Sequence, residues 1–230
     1  MKNKLFIFFS LILTSCTKEI TTLTLSPVDI FNNCKSSIVE LKTYNDENNI
    51  CYGSAVLIDS NGTFASNAHL LRYKEGGIYK EFENIEIRFS FEENYREVSI
   101  IKYDSDLDIS FLKLNNTDNL NLKPISIEKE LDLKHGQKVY AIGNGMNHGI
   151  GITEGIISIP TVNITYEDIT RKVIQCDLVI NDGNSGGALL NEKSSLIGLT
   201  TFRLKDDNAK IIYGIAYCIP IDTVITYLNN

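Results

Sequence analysis

The residues with the clearest chemical potential lie in Asp182-Gly183-Asn184-Ser185-Gly186-Gly187-Ala188-Leu189-Leu190. A serine set among glycines, after the β-rich run Val173–Ile180 and before an apolar one, is placed to expose its hydroxyl. The glycines permit tight backbone geometry and leave amide N–H groups open to an anionic oxygen. A plain glycine-rich turn between strands would look the same in isolation. A nucleophilic serine also needs a base, and the base needs an orienting acid.

Only three histidines occur, His69, His135 and His148, and all precede Ser185. An α/β-hydrolase requires a histidine after the serine, so that reading of Gly183–Gly187 fails. A subtilisin-like order needs the acid before the histidine, where Asp29, Asp46 and Asp59 have no distinctive context. The order His, Asp, Ser remains, and His69, Asp108 and Ser185 fill it. Asp104 and Asp106 compete with Asp108 for the acid role, with turn residue as their duller assignment. His135, beside Gly136, reads as a loop residue. His148 sits in the glycine-rich Gly145–Gly149, where a substrate contact and an exposed loop are both open readings.

The elements that must position these groups read as strands almost throughout. Ile85, Ile87, Phe89 and Phe91 alternate with Glu86, Arg88, Ser90 and Glu92, which marks a half-buried strand. Further strands are expected near Ser36–Thr43, Cys51–Asp59, Thr63–Ser66, Glu97–Asp104 and Ile109–Leu114. A second set follows near Lys138–Gly143, Gly151–Ser158, Lys172–Ile180, Ala188–Asn191, Leu196–Phe202 and Ile211–Ile219. The class is therefore all-β, a sandwich or barrel. Only Ile221–Leu228 reads as a helix, with Pro220 before it and Asp222 in its first turn.

The start of the chain reads as an address. Lys2 and Lys4 precede an apolar run from Leu5 to Leu13, too short to span a bilayer comfortably, and small residues lead to Cys16. Leu13-Thr14-Ser15-Cys16 resembles the lipobox of bacterial lipoproteins. That implies a signal peptide over 1–15, lipidation at Cys16 and a lipid-anchored linker over 16–33; an unmodified secretory peptide is the alternative. Either reading places the protein outside the cytoplasm, at the cell envelope. Residues 34–230 then form the folded body, as 34–118 and 122–230 around a polar link. With net charge −7, pI about 5.0 and no basic stripe, nucleic acid is not an expected partner. Cys34, Cys51, Cys176 and Cys218 show no zinc spacing and default to buried thiols, with Cys176–Cys218 the pair to expect if a bridge forms. No metal or cofactor is expected.

Set side by side, these segments resemble the trypsin-like serine proteases, most closely the HtrA/DegP type. Gly53-Ser54-Ala55-Val56-Leu57-Ile58 and Ser66-Asn67-Ala68-His69 are similar to its G-S-G-x-x-I and T-N-A-H segments. Asp108-Ile109-Ser110-Phe111-Leu112-Lys113-Leu114 is similar to D-L-A-V-L-K, and Ala141-Ile142-Gly143-Asn144 to A-I-G-N. Thr153-Glu154-Gly155-Ile156-Ile157-Ser158 is similar to T-x-G-I-V-S, and Gly183–Leu189 to G-N-S-G-G-P-L. Ile197-Gly198-Leu199-Thr200 and Gly214–Pro220 resemble I-G-I-N and G-I-G-F-A-I-P. The matches run in register from about Ser36 to Ile221.

The resemblance implies two six-stranded antiparallel Greek-key β-barrels and a short C-terminal helix, with the site between the barrels. It implies His69 as base, Asp108 as its orienting acid, Ser185 as nucleophile, and an oxyanion hole from the amides around Gly183, Asn184 and Ser185. Asn184 stands where digestive relatives carry an aspartate, so an active site formed without zymogen cleavage is expected. Ala188 replaces the usual proline, and with the sequence ending at Asn230 a PDZ domain is not expected. Thr200, Thr201, Phe202 and Arg203 are the expected substrate-binding residues. They offer no fixed acid, so a small or medium apolar side chain is the expected substrate group; Arg203 is expected to be solvated, with a preference for acidic side chains as the alternative it offers. Partners are then protein or peptide substrates and a membrane through lipidated Cys16. A non-catalytic two-barrel lipoprotein that binds peptide is the alternative.

Overall fold

The computed structural model describes residues 24–46, 49–118, 120–166, 168–205 and 211–230. The signal peptide, Cys16 and the first part of the expected linker, residues 16–23, lie outside the described residues.

The first half holds eight strands: β1 (Ile38–Tyr44), β2 (Ile50–Leu57), β3 (Thr63–Ser66), β4 (Arg72–Glu75), β5 (Ile78–Glu81), β6 (Asn84–Phe89), β7 (Arg96–Asp104) and β8 (Ile109–Leu114). Six close into a barrel in the order β1-β2-β3-β8-β7-β6, while β4 and β5 form a separate hairpin. The second half adds β9 (Ser126–Ile127), β10 (Lys138–Gly143), β11 (Gly151–Tyr166), β12 (Ile169–Cys176), β13 (Ala188–Leu190), β14 (Ser195–Lys205) and β15 (Ile211–Pro220). Its sheet order is β13-β10-β11-β12-β15-β14-β9, and an extra β13–β14 pairing closes six of these strands into a ring. Short β9 adds in parallel to β14 from outside. Both rings follow one scheme, in which three sequential strands are met by the next three in reverse, the Greek-key pattern that the resemblance implied.

Apolar periodicity explains where the strands point. In β6, Ile85, Ile87 and Phe89 are buried and alternate with half-buried Asn84, Glu86 and Arg88. Phe91 breaks the expected continuation: the Glu92 amide turns back onto Phe89 O (3.0 Å), and Phe91 is 60 % exposed, stacked outside on Phe89. The first barrel encloses Leu41, Leu57, Phe64, Ile87, Phe89 and Leu112; the second encloses Val139, Ile157, Ile174, Cys176, Ile197 and Cys218. A third cluster, with Ile38, Val56, Phe111, Ile142, Leu190 and Leu199, joins strands of both barrels, and the site stands above it.

That cluster also corrects the expected linker. Residues Pro27–Cys34 form a helix, α1, with Pro27 in its first turn and a Ser26/Asp29 capping box. Ile30 and Cys34 are buried in the inter-barrel cluster together with Ile221 and Val224 of α2 (Ile221–Asn229). Burying a side chain the size of Ile30 stabilises by about 1.5–3 kcal/mol, so this stretch belongs to the folded body rather than to a tether. Cys176 and Cys218, the pair to expect had a bridge formed, are free and buried, in line with the default expectation of buried thiols. Cys176 beside it, together with burial, pushes the Cys218 thiol well above its ordinary range.

Candidate active site

His69 sits in a 3-10 turn, Ala68–Leu71, that follows β3. Its neighbours Ala68, Leu70 and Leu71 are buried, so the turn packs by those side chains and presents His69 to the cleft, with 44 % of its side-chain surface exposed. Asp108 immediately precedes β8 with a left-handed backbone, φ 58°, which an aspartate adopts more readily than most residues. That conformation is held from several sides: Asn67 Nδ2 donates to Asp108 O (2.9 Å), and Ser110 Oγ donates to Asn67 O (3.1 Å). Arg171, from β12, donates to the carbonyls of Ser105 (2.9 Å) and Asp106 (2.6 Å) just upstream. Asp104 is a turn residue, accepting from the amides of Asp106 (2.8 Å) and Leu107 (2.9 Å). Of the three aspartates, only Asp108 reaches His69.

The contact is a forked one. His69 Nδ1 lies 3.0 Å and 2.9 Å from the two Asp108 carboxyl oxygens, and the His69 amide donates to Oδ1 at 2.9 Å. Thr201 Oγ1 donates to Oδ2 at 2.6 Å. Burial by itself would raise the Asp108 pKa, but the charge and hydrogen bond of His69 and the bond from Thr201 hold it below the ordinary carboxylate value. Burial likewise works against a charged His69, and the Asp108 carboxylate overrides it, raising the imidazole above its ordinary value near 6.5.

Ser185 follows a tight turn. The Asn184 amide donates to Asn181 O (3.0 Å) across Gly183, whose φ of +92° lies in the region that the third residue of a type II turn requires. That bond corrects one expectation: the Asn184 amide is committed to the turn and is not free for an oxyanion. Among the described residues the amides of Gly183 and Ser185 have no protein acceptor. The loop is pinned to the first barrel through Ser54 of β2. Its amide donates to Ser185 O (2.8 Å), while its hydroxyl donates to Gly183 O (2.7 Å) and accepts from the Asn144 amide (2.8 Å). At Gly186 a Cβ would fall 2.1 Å from Ser54 O, so only glycine allows this approach.

The Ser185 hydroxyl donates to Thr201 O at 2.7 Å, and among the described residues no hydrogen bond joins it to His69. The structure thus brings His69, Asp108 and Thr201 into one bonded chain and sets Ser185 on the backbone of its last member. Thr201 was expected in the substrate pocket; it is 2 % exposed, and its hydroxyl serves Asp108 instead. Thr200 is equally buried and donates to Asn184 O, bracing the loop that carries Ser185 rather than lining a pocket. Phe202 packs its ring 5.3 Å from Tyr217. Arg203 is not solvated: its side chain is only 15 % exposed and donates to Asn181 Oδ1 (3.3 Å) and Asp182 Oδ1 (2.9 Å). His135 and His148 are exposed loop residues. The bracing roles of Ser54, Asn67 and Arg171 were not read from the sequence. Ser54 and Asn67 lay inside the quoted motifs, whereas nothing local marks Arg171.

A family model of the trypsin-like peptidase domain matches residues 53–199, which takes in all of these groups from Ser54 to Ser185. The chain belongs to the trypsin-like peptidase family. This trypsin-like chain is 33 % identical over 171 residues to serine endoprotease DegS of Haemophilus influenzae, covering 74 % of this chain and 47 % of that one. It is 38 % identical over 177 residues to the "Probable periplasmic serine endoprotease DegP-like" of Buchnera aphidicola subsp. Baizongia pistaciae, covering 75 % and 34 % respectively. The chain therefore spans between a third and a half of the length of these two relatives. Among solved structures, the HtrA-type protease AlgW with tripeptide superposes with TM-score 0.74 at 24 % identity, over 89 % of this chain and 63 % of that one, which is a likeness of fold.

Proposed function

We propose that this protein is a serine endopeptidase that cuts exported or extracellular proteins through Ser185, His69 and Asp108. The observation that carries the reading is the fork of Asp108 on His69 Nδ1, closed by Thr201. With Nδ1 committed to the acid, Nε2 is the nitrogen left to take a proton, and the exposed side of the ring is where substrate arrives. Ser185 reaches the base by rotating about χ1, away from Thr201 O. Catalytic hydrogen bonds in free enzymes often form only once substrate is bound. His69 then accepts the Ser185 proton as Oγ attacks the peptide carbonyl and returns it to the leaving amine. The developing oxyanion lies at the Gly183 and Ser185 amides, each worth about 3–4 kcal/mol in related chemistry. The DegS and DegP-like relatives support the endopeptidase class, and the periplasmic name of the latter supports an exported setting. Lipidation at Cys16 and attachment to the envelope membrane complete the proposal.

The Ser185–Thr201 bond specifically favours a second reading, a non-catalytic peptide-binding module. A fluorophosphonate probe separates the two. Labelling of the folded protein that Ser185→Ala abolishes, with cleavage of unfolded casein lost in the same variant, is the expected result. An unlabelled Ser185 leaves the binding module standing and removes the enzyme.

A further inference from the structure

Two segments flank Ser185. One is the Asn181–Asn184 turn that leads into it; the other is the end of β14, where Thr201 O holds its hydroxyl at 2.7 Å. Arg203, two residues beyond Thr201 and paired across the sheet with buried Ala216, sends its guanidinium from the second segment to the first. It donates to Asn181 Oδ1 at 3.3 Å and to Asp182 Oδ1 at 2.9 Å. The guanidinium thus bridges the two segments that flank Ser185.

We propose that Arg203 is a specificity-determining residue that selects substrates carrying Asp or Glu immediately before the scissile bond, a proposal that rests on the endopeptidase reading above. The two partners of the ion pair are unequally held. The Arg203 side chain is 15 % exposed and the Asp182 side chain 95 % exposed. Packing therefore fixes the cation, whereas the anion is a mobile, hydrated group whose attraction is screened and contributes little net stability. A guanidinium carries five N–H donors in a planar fork suited to a carboxylate, and among the described residues it bonds to Asn181 and Asp182. A substrate carboxylate tethered in the cleft by its own main chain competes with Asp182 at a high effective concentration. Asp182 swings to water, and the incoming carboxylate takes its seat on a cation that is already desolvated and oriented. A lysine or arginine side chain in the same place meets like charge. The protein's net charge of −7 works against acidic substrates at long range, so the preference is local to this one side chain and weakens with salt.

The test is a series of quenched peptides that differ only before the scissile bond, with Glu, Gln, Asp, Val or Lys. They are cleaved by the full chain at low and at high salt, with fluorophosphonate labelling of Ser185 and casein cleavage run alongside. Wild type should cleave the Glu peptide at least about 10-fold faster in kcat/KM than the Gln peptide, with the ratio shrinking at high salt. Arg203→Gln should bring the ratio to about one, and Arg203→Glu should invert it toward Lys. Asp182→Asn, which removes the competing anion and leaves the cation, should raise the ratio above wild type; a purely structural role for the pair would not move the two variants in opposite directions. Equal cleavage of Glu and Gln by wild type, a Val peptide cut faster than Glu, or a ratio unchanged in Arg203→Gln overturns the proposal. If Ser185 labels and casein is cut in those cases, only the specificity falls. If neither occurs, the endopeptidase reading falls and this inference with it.

Discussion

On the side of the cleft that holds His69 and Asp108, the buried Asp108 is held from several directions: its carboxylate receives the His69 amide, His69 Nδ1 and the Thr201 hydroxyl, and its own carbonyl is held by Asn67. On the side proposed to meet a substrate side chain, a single guanidinium leans on one amide and on a carboxylate that is 95 % exposed. The first region is over-determined, so that removing one bond leaves a buried group unpaired. The second is held by packing and by one screened ion pair, so its charges can change without disturbing the fold. In the proposed enzyme, chemistry that must hold to fractions of an ångström lies in the rigid part, and the proposed selectivity in the adjustable part.

Substitutions can break this contrast in graded steps. Asp108→Asn should cost the most, about 10⁴-fold in kcat/KM, because the base loses both its orientation and the anion that stabilises its charged form; steady-state kinetics on one peptide measures it. Gly186→Ala places a Cβ 2.1 Å from Ser54 O and 2.3 Å from Ser66 Oγ at φ +79°, and should lower stability by at least about 2 kcal/mol in urea unfolding. Ser54→Ala strands the Gly183 carbonyl and the Asn144 amide, at about 1–3 kcal/mol of stability. It should also lower kcat/KM by roughly tenfold as the nucleophile turn loosens.

The acid limb of kcat/KM against pH should have its midpoint above 6.5, since His69 must be neutral to accept a proton and Asp108 holds its pKa up. In Asp108→Asn the midpoint should fall. The same raised pKa makes the His69 contribution to stability fully present below 6.5 and lost as pH rises through the folded value. For Asp108 the sign reverses: its lowered pKa contributes above 3.8, and that contribution is lost as pH falls through the folded value. The smallest effect belongs to the other side of the cleft: Arg203→Gln should change stability by less than about 1 kcal/mol, read from the same urea curves.

Legibility in the sequence followed the range of the interactions. Strand alternation, the turn chemistry around Gly183 and the order of His69, Asp108 and Ser185 are local signals and were readable. So was the Ser26-Pro27-Val28-Asp29 capping signature of α1, and the Gly76-Gly77 pair that turns β4 into β5; both were passed over. Thr200 and Thr201 fall in the expected strand, whereas Arg203 lies one residue beyond its expected end at Phe202 and inside the observed β14; the partners of all three differ from expectation, because a strand's residues are near one another in sequence while their partners are not.

From residue order alone came the all-β class, the two sets of six strands and the set of groups able to act as base, acid and nucleophile. Those follow from backbone periodicity and from the chemistry each side chain carries wherever it sits. Tertiary structure alone decided that Thr201 serves Asp108 across 93 positions, that the Asn184 amide is spent on its own turn, and that Arg203 crosses to Asp182 rather than pointing to water. A hydroxyl or a guanidinium has several partners within reach in principle, and the packing of two barrels against each other is what selects one.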